Sequence, residues 1–172
     1  MHHGSLRGFR VWLGAAALVV GVPVTSGAQV PDGEWHAFGR DPANSKYSPL
    51  DQITKENFTD LEIAWSWDSL SQAVVAEREN IRPSALMSSP LMANGLVYVS
   101  TAIGQAAALD AGTGELVWSY DPRIYEYLER PPNMGWRHRG LTYWADDNSD
   151  DMRIFFANHD LKLVALDART GA

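Results

Sequence analysis

The 172-residue sequence has no cysteine, so no disulfide can tie it together and its order must come from a packed core. That absence is compatible with export, because a chain with a real core needs no covalent staples. Basic residues are scarce as well, 14 Lys and Arg against 21 Asp and Glu. Arg7 and Arg10 are the only charged residues among the first 28, so the remainder holds 12 basic and 21 acidic side chains, a net charge of −9. A body this acidic repels a phosphate backbone, which argues against nucleic acid as a partner. Long apolar runs are missing too. The longest, Val11 to Val24, is about 14 residues, short of the ~20 that a membrane-spanning helix needs. With Pro and Gly at ordinary levels and 45% hydrophobic residues, the chain is globular rather than disordered or fibrous.

Arg7 and Arg10 precede that apolar run, and Ser26-Gly27-Ala28 follows it with the small residues a signal peptidase cleaves after. Residues 1–28 therefore read as a signal peptide and the address as periplasmic. A retained anchor is the competing reading, which leaves membrane association open.

What the sequence does contain is a repeat. Ala108-Leu109-Asp110-Ala111-Gly112-Thr113-Gly114 returns as Ala165-Leu166-Asp167-Ala168-Arg169-Thr170-Gly171, with Asp110 and Asp167 57 residues apart. Units of this size that cannot bury their own faces stack against copies of themselves. Strand signals surround the first copy: Ser89–Ala93, the turn pair Asn94-Gly95, Leu96–Thr101, Ala106–Asp110, and Glu115–Ser119. Four short antiparallel strands in a meander make one blade of a β-propeller, here about residues 89–120.

A second, partial blade spans about 139–172, with Leu141–Trp144 as its first strand, a swollen turn at 145–151, and Ile154 and Leu166 falling on Val97 and Leu109. The fold class is thus all-β, a propeller of which the sequence holds about the first two blades. In the repeated turn, Asp and Thr side chains can bond nearby amides while Gly accepts left-handed dihedrals. Trp118, four residues on, reads as a packing residue.

Residues 29–68 form an N-terminal lead-in segment, too aromatic for a linker, with Trp35, Phe38, Tyr47, Trp65 and Trp67. It is expected to pack against the outside of the repeats, with a short helical stretch over Thr54–Leu61. The propeller begins at residue 69, and residues 69–88 show no period and read as loop. The connection from Asp121 to His138, with three prolines, reads as a roof over the central funnel or an irregular link.

The pattern Ala108-x-Asp110-x-x-Thr113-Gly114-x-x-x-Trp118 matches the tryptophan-docking motif of the pyrroloquinoline quinone (PQQ) dependent dehydrogenases. The resemblance extends to Trp35-x-x-x-Gly39-Arg40-Asp41-Pro42-x-Asn44-x-x-Tyr47-Ser48-Pro49-Leu50, to Ala64-Trp65, to Pro90-Leu91-Met92, and to Arg139-Gly140-Leu141-Thr142-Tyr143-Trp144. It covers Glu34 to Gly171 and implies an eight-bladed propeller when complete, of which this chain is an N-terminal fragment.

The first strand of a propeller blade is the innermost, so Arg139 is expected beside the central axis. A planar guanidinium suits carboxylate oxygens, and the cofactor carries three carboxylates and an ortho-quinone. The resemblance implies that Arg139 binds the cofactor; a structural ion pair with a loop acid is the alternative. Relatives often carry a Glu where this sequence has Met87, and some carry a vicinal cysteine pair where it has Trp136, Arg137 and His138. Those departures favour a glucose, polyol or uncharacterised branch over the methanol branch.

Asp146, Asp147, Asp150 and Asp151 lack the Gly and terminal Glu of a calcium loop and read as a solvated turn. The histidines show no metal-site spacing. No catalytic and no metal-binding residue is assigned.

The resemblance implies a periplasmic enzyme that uses PQQ and Ca2+ to oxidise an alcohol, sugar or polyol, passing electrons to a quinone or cytochrome. Its base and calcium ligands are expected downstream, which leaves this chain inactive alone. The rival readings are a noncatalytic propeller scaffold of the outer-membrane assembly type, which uses the same turns without a cofactor, and a truncated product.

Overall fold

The computed structural model describes residues 30–172 except 42, 79 and 129–135. The signal-peptide reading of residues 1–28 lies outside the described residues, as does the middle of the Asp121–His138 connection.

Two antiparallel sheets and one parallel pair account for the strands. After helix α1 (Ser71–Glu77) come β1 (Pro83–Leu86) and the four strands of the first blade: β2 (Leu91–Ala93), β3 (Leu96–Ser100), β4 (Ala106–Asp110) and β5 (Leu116–Tyr120). They pair in chain order as a meander. The β2–β3 connection is Asn94 at φ 51° and Gly95 at φ 75°. Two successive left-handed residues give a turn whose twist matches that of the strands it joins, which is why Asn-Gly serves there.

The chain then crosses through β6 (Trp136–His138) into the second blade: β7 (Thr142–Ala145), β8 (Met152–Ala157) and β9 (Leu163–Asp167). Every β8–β9 pair is a β3–β4 pair displaced by the repeat, from Leu96↔Asp110 matching Arg153↔Asp167 to Ser100↔Ala106 matching Ala157↔Leu163. Only the first hairpin differs, with residues 146–151 in place of Asn94-Gly95. There Asp146 accepts bonds from Asn148 N and Ser149 Oγ, Asp151 is paired with Arg153, and Arg169 donates to the Asp150 carbonyl.

The main core lies between the blades. Leu91, Ala93, Tyr98, Ala106, Ala108 and Trp118 of the first meet Leu141, Tyr143, Ile154, Phe156, Leu166 and Ala168 of the second. Alternation along each strand puts these residues on one face, so a single blade could not cover them. A smaller core of Val74, Ile81, Ile103, Ile124 and Trp136 fastens α1 and the 121–138 connection over one end of the blades.

Three expectations need correction. Residues 69–88 are not all loop. They hold α1, of which only Val74 is buried, and β1, which pairs in parallel with β6. One buried residue leaves no apolar period, and a parallel partner some fifty residues away leaves no local trace. The expected helix over Thr54–Leu61 is reduced to one 3-10 turn at Phe58–Asp60. The Asn57 amide accepts from Thr54 N at 2.7 Å and donates to Gln52 O at 2.8 Å, holding a turn rather than a helix start.

The lead-in segment, third, does not lie wholly outside the repeats. Trp35 pairs with Met92 on the free edge of β2, Glu34 accepts from Asn94 N, and the His36 carbonyl accepts from Tyr143 N. It thus runs along the innermost strands of both blades, while Trp65 rests on the outer Asp110–Gly114 turn.

Candidate functional site

The site is built where β1 and β6 end. Their parallel register sets Leu86 opposite His138, so Met87-Ser88 and Arg139-Gly140 leave the pair side by side. Gly140 has φ +108°, where a side chain is strained, and a β-carbon on it would stand 3.4 Å from Ser88 Cβ. This turn delivers the chain from β6 into β7, the innermost strand of the second blade.

Arg139 sits on the turn, exposed, and its side chain forms no hydrogen bond or ion pair among the described residues. Asp160, on the β8–β9 turn, is bound by Lys162 Nζ and Tyr127 Oη, both at 2.8 Å. Met87, which follows β1 as Arg139 follows β6, is exposed as well.

Behind Arg139 the backbone is held by two histidines. His138 is buried, and its Nδ1 accepts the Gly140 N–H at 3.2 Å. Its Nε2 is buried without a hydrogen bond of normal geometry, and its ring packs edge-on against Phe156. Burial, then the neighbouring His159, pushes its pKa down to about 4, against a smaller opposing effect from the Ala157 backbone. His138 is therefore a neutral brace at physiological pH. His159, on the β8–β9 turn, accepts the Arg137 N–H at 3.1 Å and packs against Trp136. Burial lowers its pKa too, opposed by the Arg137 amide bond and by Asp160.

The other end of the inner strands is closed by a network that the sequence reading missed. Asn94 Nδ2 donates to Tyr143 Oη at 2.7 Å, the His36 ring lies 4.7 Å from that of Tyr143, and His36 pairs with Glu34. Burial raises the Tyr143 pKa, so its hydroxyl stays protonated. Trp144, beside it, faces away from the first blade and lines a 420 Å³ depression with Thr142 and Phe155.

The repeated turns carry the packing chemistry expected of them. Asp110 Oδ1 accepts from Gly112 N, Thr113 N and Thr113 Oγ1, and Asp167 Oδ1 accepts from Arg169 N, Thr170 N and Thr170 Oγ1. Trp118 docks on the second turn, donating Nε1–H to Ala168 O at 2.9 Å. Trp65 docks on the first in the same way, donating to Ala111 O at 3.0 Å.

Against known proteins, residues 35–172 match the family model described as PQQ, the β-propeller domain of glucose, ethanol and alcohol dehydrogenases. The dehydrogenase subunit of alcohol dehydrogenase (quinone) from Gluconobacter oxydans (strain 621H) is 35% identical over 145 residues, 81% of this chain and 16% of the relative. Quinohemoprotein alcohol dehydrogenase ADH IIB from Pseudomonas putida is 32% identical over 158 residues, 91% of this chain and 20% of the relative. Among solved structures, quinohemoprotein alcohol dehydrogenase from Comamonas testosteroni superposes with a TM-score of 0.64 at 30% identity, over 80% of this chain and 18% of that one. A europium-containing methanol dehydrogenase gives 0.62 at 26% identity, over 81% of this chain and 22% of that one. The chain thus spans about a fifth of the length of these relatives.

Proposed function

The chain belongs to the β-propeller family of PQQ-dependent glucose, ethanol and alcohol dehydrogenases, and we propose that it supplies one wall of the cofactor site in a larger enzyme of that kind. That enzyme oxidises an alcohol, sugar or polyol in the periplasm and delivers electrons to a quinone or cytochrome. The chain alone, with no assigned base or metal ligand, is inactive. Export rests on Arg7, Arg10 and the apolar run after them.

Arg139 carries the reading. An exposed planar guanidinium that spends no hydrogen bond within the described residues is matched to a ligand rich in carboxylates. Gly140 and the β1–β6 pair fix its backbone at the start of an innermost strand, and the neutral His138 adds no competing positive charge behind it. PQQ, when bound, supplies an ortho-quinone that accepts two electrons. Calcium beside it would be held by residues outside this chain.

The test is reconstitution. A longer protein containing this chain, supplied with PQQ and Ca2+, is expected to reduce an artificial dye in the presence of alcohols or sugars. No PQQ-dependent activity on any of them would overturn the reading.

A further inference from the structure

The two histidines behind Arg139 hold its backbone through their unprotonated nitrogens. His138 Nδ1 accepts the Gly140 N–H at 3.2 Å, and His159 Nε2 accepts the Arg137 N–H at 3.1 Å, so the two bonds bracket Arg139. A neutral imidazole has one nitrogen that accepts and one that carries the proton, which puts the proton of His138 on Nε2 and that of His159 on Nδ1. Both of those atoms are buried and have no hydrogen bond of normal geometry among the described residues. A second proton therefore has one place to go in each ring, the atom that holds the backbone. N–H then faces N–H, and the bond is lost.

No ladder stands ready to take over the two amides. Among the described residues β6 pairs with β1 alone, and the Arg137 N–H goes to the His159 ring rather than to a neighbouring strand. Gly140 lies between β6 and β7 and belongs to neither. The His159 bond is also what ties β6 to the β8–β9 turn of the second blade.

The surrounding groups decide when the protons arrive. β1 contains no titratable residue, and β8 offers His138 the apolar ring of Phe156. Burial holds both rings neutral at pH 7, and at His138 the neighbouring His159 adds to that effect. The Ala157 backbone opposes it at His138, and the Arg137 backbone and Asp160 oppose it at His159. Arg137 and Arg139 flank His138 on its own segment, and Lys162 Nζ and Tyr127 Oη sit on the Asp160 carboxylate. Asp160 Oδ1 is buried and unbonded among the described residues, an acceptor to which a charged His159 can turn. The less buried His159 thus takes its proton ahead of His138, whose pKa lies at about 4.

We propose that His138 and His159 are positioning residues for Arg139 that make its grip on the cofactor acid-sensitive: either ring, once doubly protonated, releases an amide beside Arg139, and the turn stops presenting the guanidinium. This rests on the reading of Arg139 as a cofactor contact. An added charge would also draw the carboxylates of the ligand. That pull is the weaker effect, because His138 is buried and Arg139 exposed, so the charge forms on the covered side of the segment. By linkage, cofactor binding in turn drives protons off the rings.

The substitutions that test this follow from ring geometry. An asparagine oxygen stands close to where Nδ1 was and a glutamine oxygen close to where Nε2 was, and neither amide titrates. In a longer protein that binds PQQ, affinity is measured by equilibrium dialysis between pH 7 and 4.5, with tryptophan fluorescence checking the fold at each pH. The double variant His138→Asn, His159→Gln is expected to bind within about threefold of the parent at pH 7, since both acceptors are restored. Toward pH 4.5 the parent is expected to lose about 3- to 10-fold more affinity than this variant. Titration of the PQQ carboxylates is common to both proteins and cancels. His138→Phe keeps a packed ring without an acceptor and is expected to bind about 3- to 10-fold more weakly already at pH 7. Calorimetry at pH 5 in buffers of different ionisation enthalpy is expected to show the parent releasing more protons on binding than the double variant.

Parallel pH profiles in parent and double variant, with Arg139→Ala still weakening binding, would overturn this inference and leave the cofactor reading standing. Unchanged PQQ affinity in Arg139→Ala would remove the cofactor reading and this inference with it. A lower melting temperature in His138→Phe with parental affinity at every pH would assign the ring to folding alone, and that also overturns the inference.

Discussion

The indole of Trp118 closes directly onto Gly171: a β-carbon there would stand 2.8 Å from both Cδ2 and Cε3, and the backbone is at φ +75°. Glycine is required twice over at this position, for its dihedral and for the space it leaves. The same holds of Trp65 and Gly114, which makes the contact a property of the repeat.

Gly171→Ala is expected to destabilise the blade pair by about 2–4 kcal/mol, the left-handed backbone cost plus the displacement of a packed indole. Gly33→Ala shares the dihedral penalty at φ +84° but meets nothing within 4 Å, and should cost only about 1 kcal/mol. Urea unfolding followed by tryptophan fluorescence separates the two; equal costs would show that the indole gives way freely.

Asn94 has two tasks, holding φ 51° in the hairpin and donating to Tyr143 Oη. Asn94→Gly keeps the first and loses the second, at about 1 kcal/mol, while Asn94→Ala loses both and should cost about twice that. Tyr143→Phe removes the bond from the other side. Unfolding free energies of the single and double variants are expected to be non-additive by roughly the strength of that one bond.

The pH dependence follows from His138. Its folded pKa of about 4 lies below the usual 6.5. The unfolded chain therefore takes up the proton first, so stability is full above about pH 6.5 and falls as the pH drops toward 4, by up to about 3 kcal/mol. His159 shifts in the same direction and adds to the fall. Asp110 and Asp167 do not contribute in this window. Hydrogen bonds from Thr113 and Gly112, and from Thr170 and Arg169, hold their pKa values below the usual 3.8, so what they add is lost only at more acid pH. Urea midpoints of the parent and of His138→Phe between pH 7 and 4 check this, the variant being expected to show the shallower decline.

Arg139→Ala, in a longer protein that binds PQQ, is expected to weaken cofactor binding about 10- to 100-fold, the range for loss of charge-assisted hydrogen bonds. Arg139→Lys should recover part of it, since it keeps charge without the planar fork. Melting temperature should not move in either variant, because the exposed guanidinium forms no hydrogen bond or ion pair within the described residues. A fall in stability with unchanged PQQ affinity would assign Arg139 a structural role instead.

The parts of this protein written in its sequence are those fixed by short-range dihedrals and side-chain reach. Asp110, Thr113 and Gly114, like Asp167, Thr170 and Gly171, specify their own turn. Asn94-Gly95 specifies its own hairpin, and short apolar strands, β3 alternating in burial and β4 almost wholly buried, fill the stretch between. What only the tertiary structure decided was pairing between distant segments: β1 with β6, which sets Met87 beside Arg139, and Trp35 with Met92, which draws the lead-in segment onto the inner strands. Neither leaves a local pattern, because a strand edge accepts any backbone of the right shape and the choice of partner is made by how the whole chain closes. The sequence could thus single out Arg139 just ahead of the second blade's first strand, while the backbone neighbours of that turn, His138, Gly140 and Ser88, became visible only once the two blades were packed.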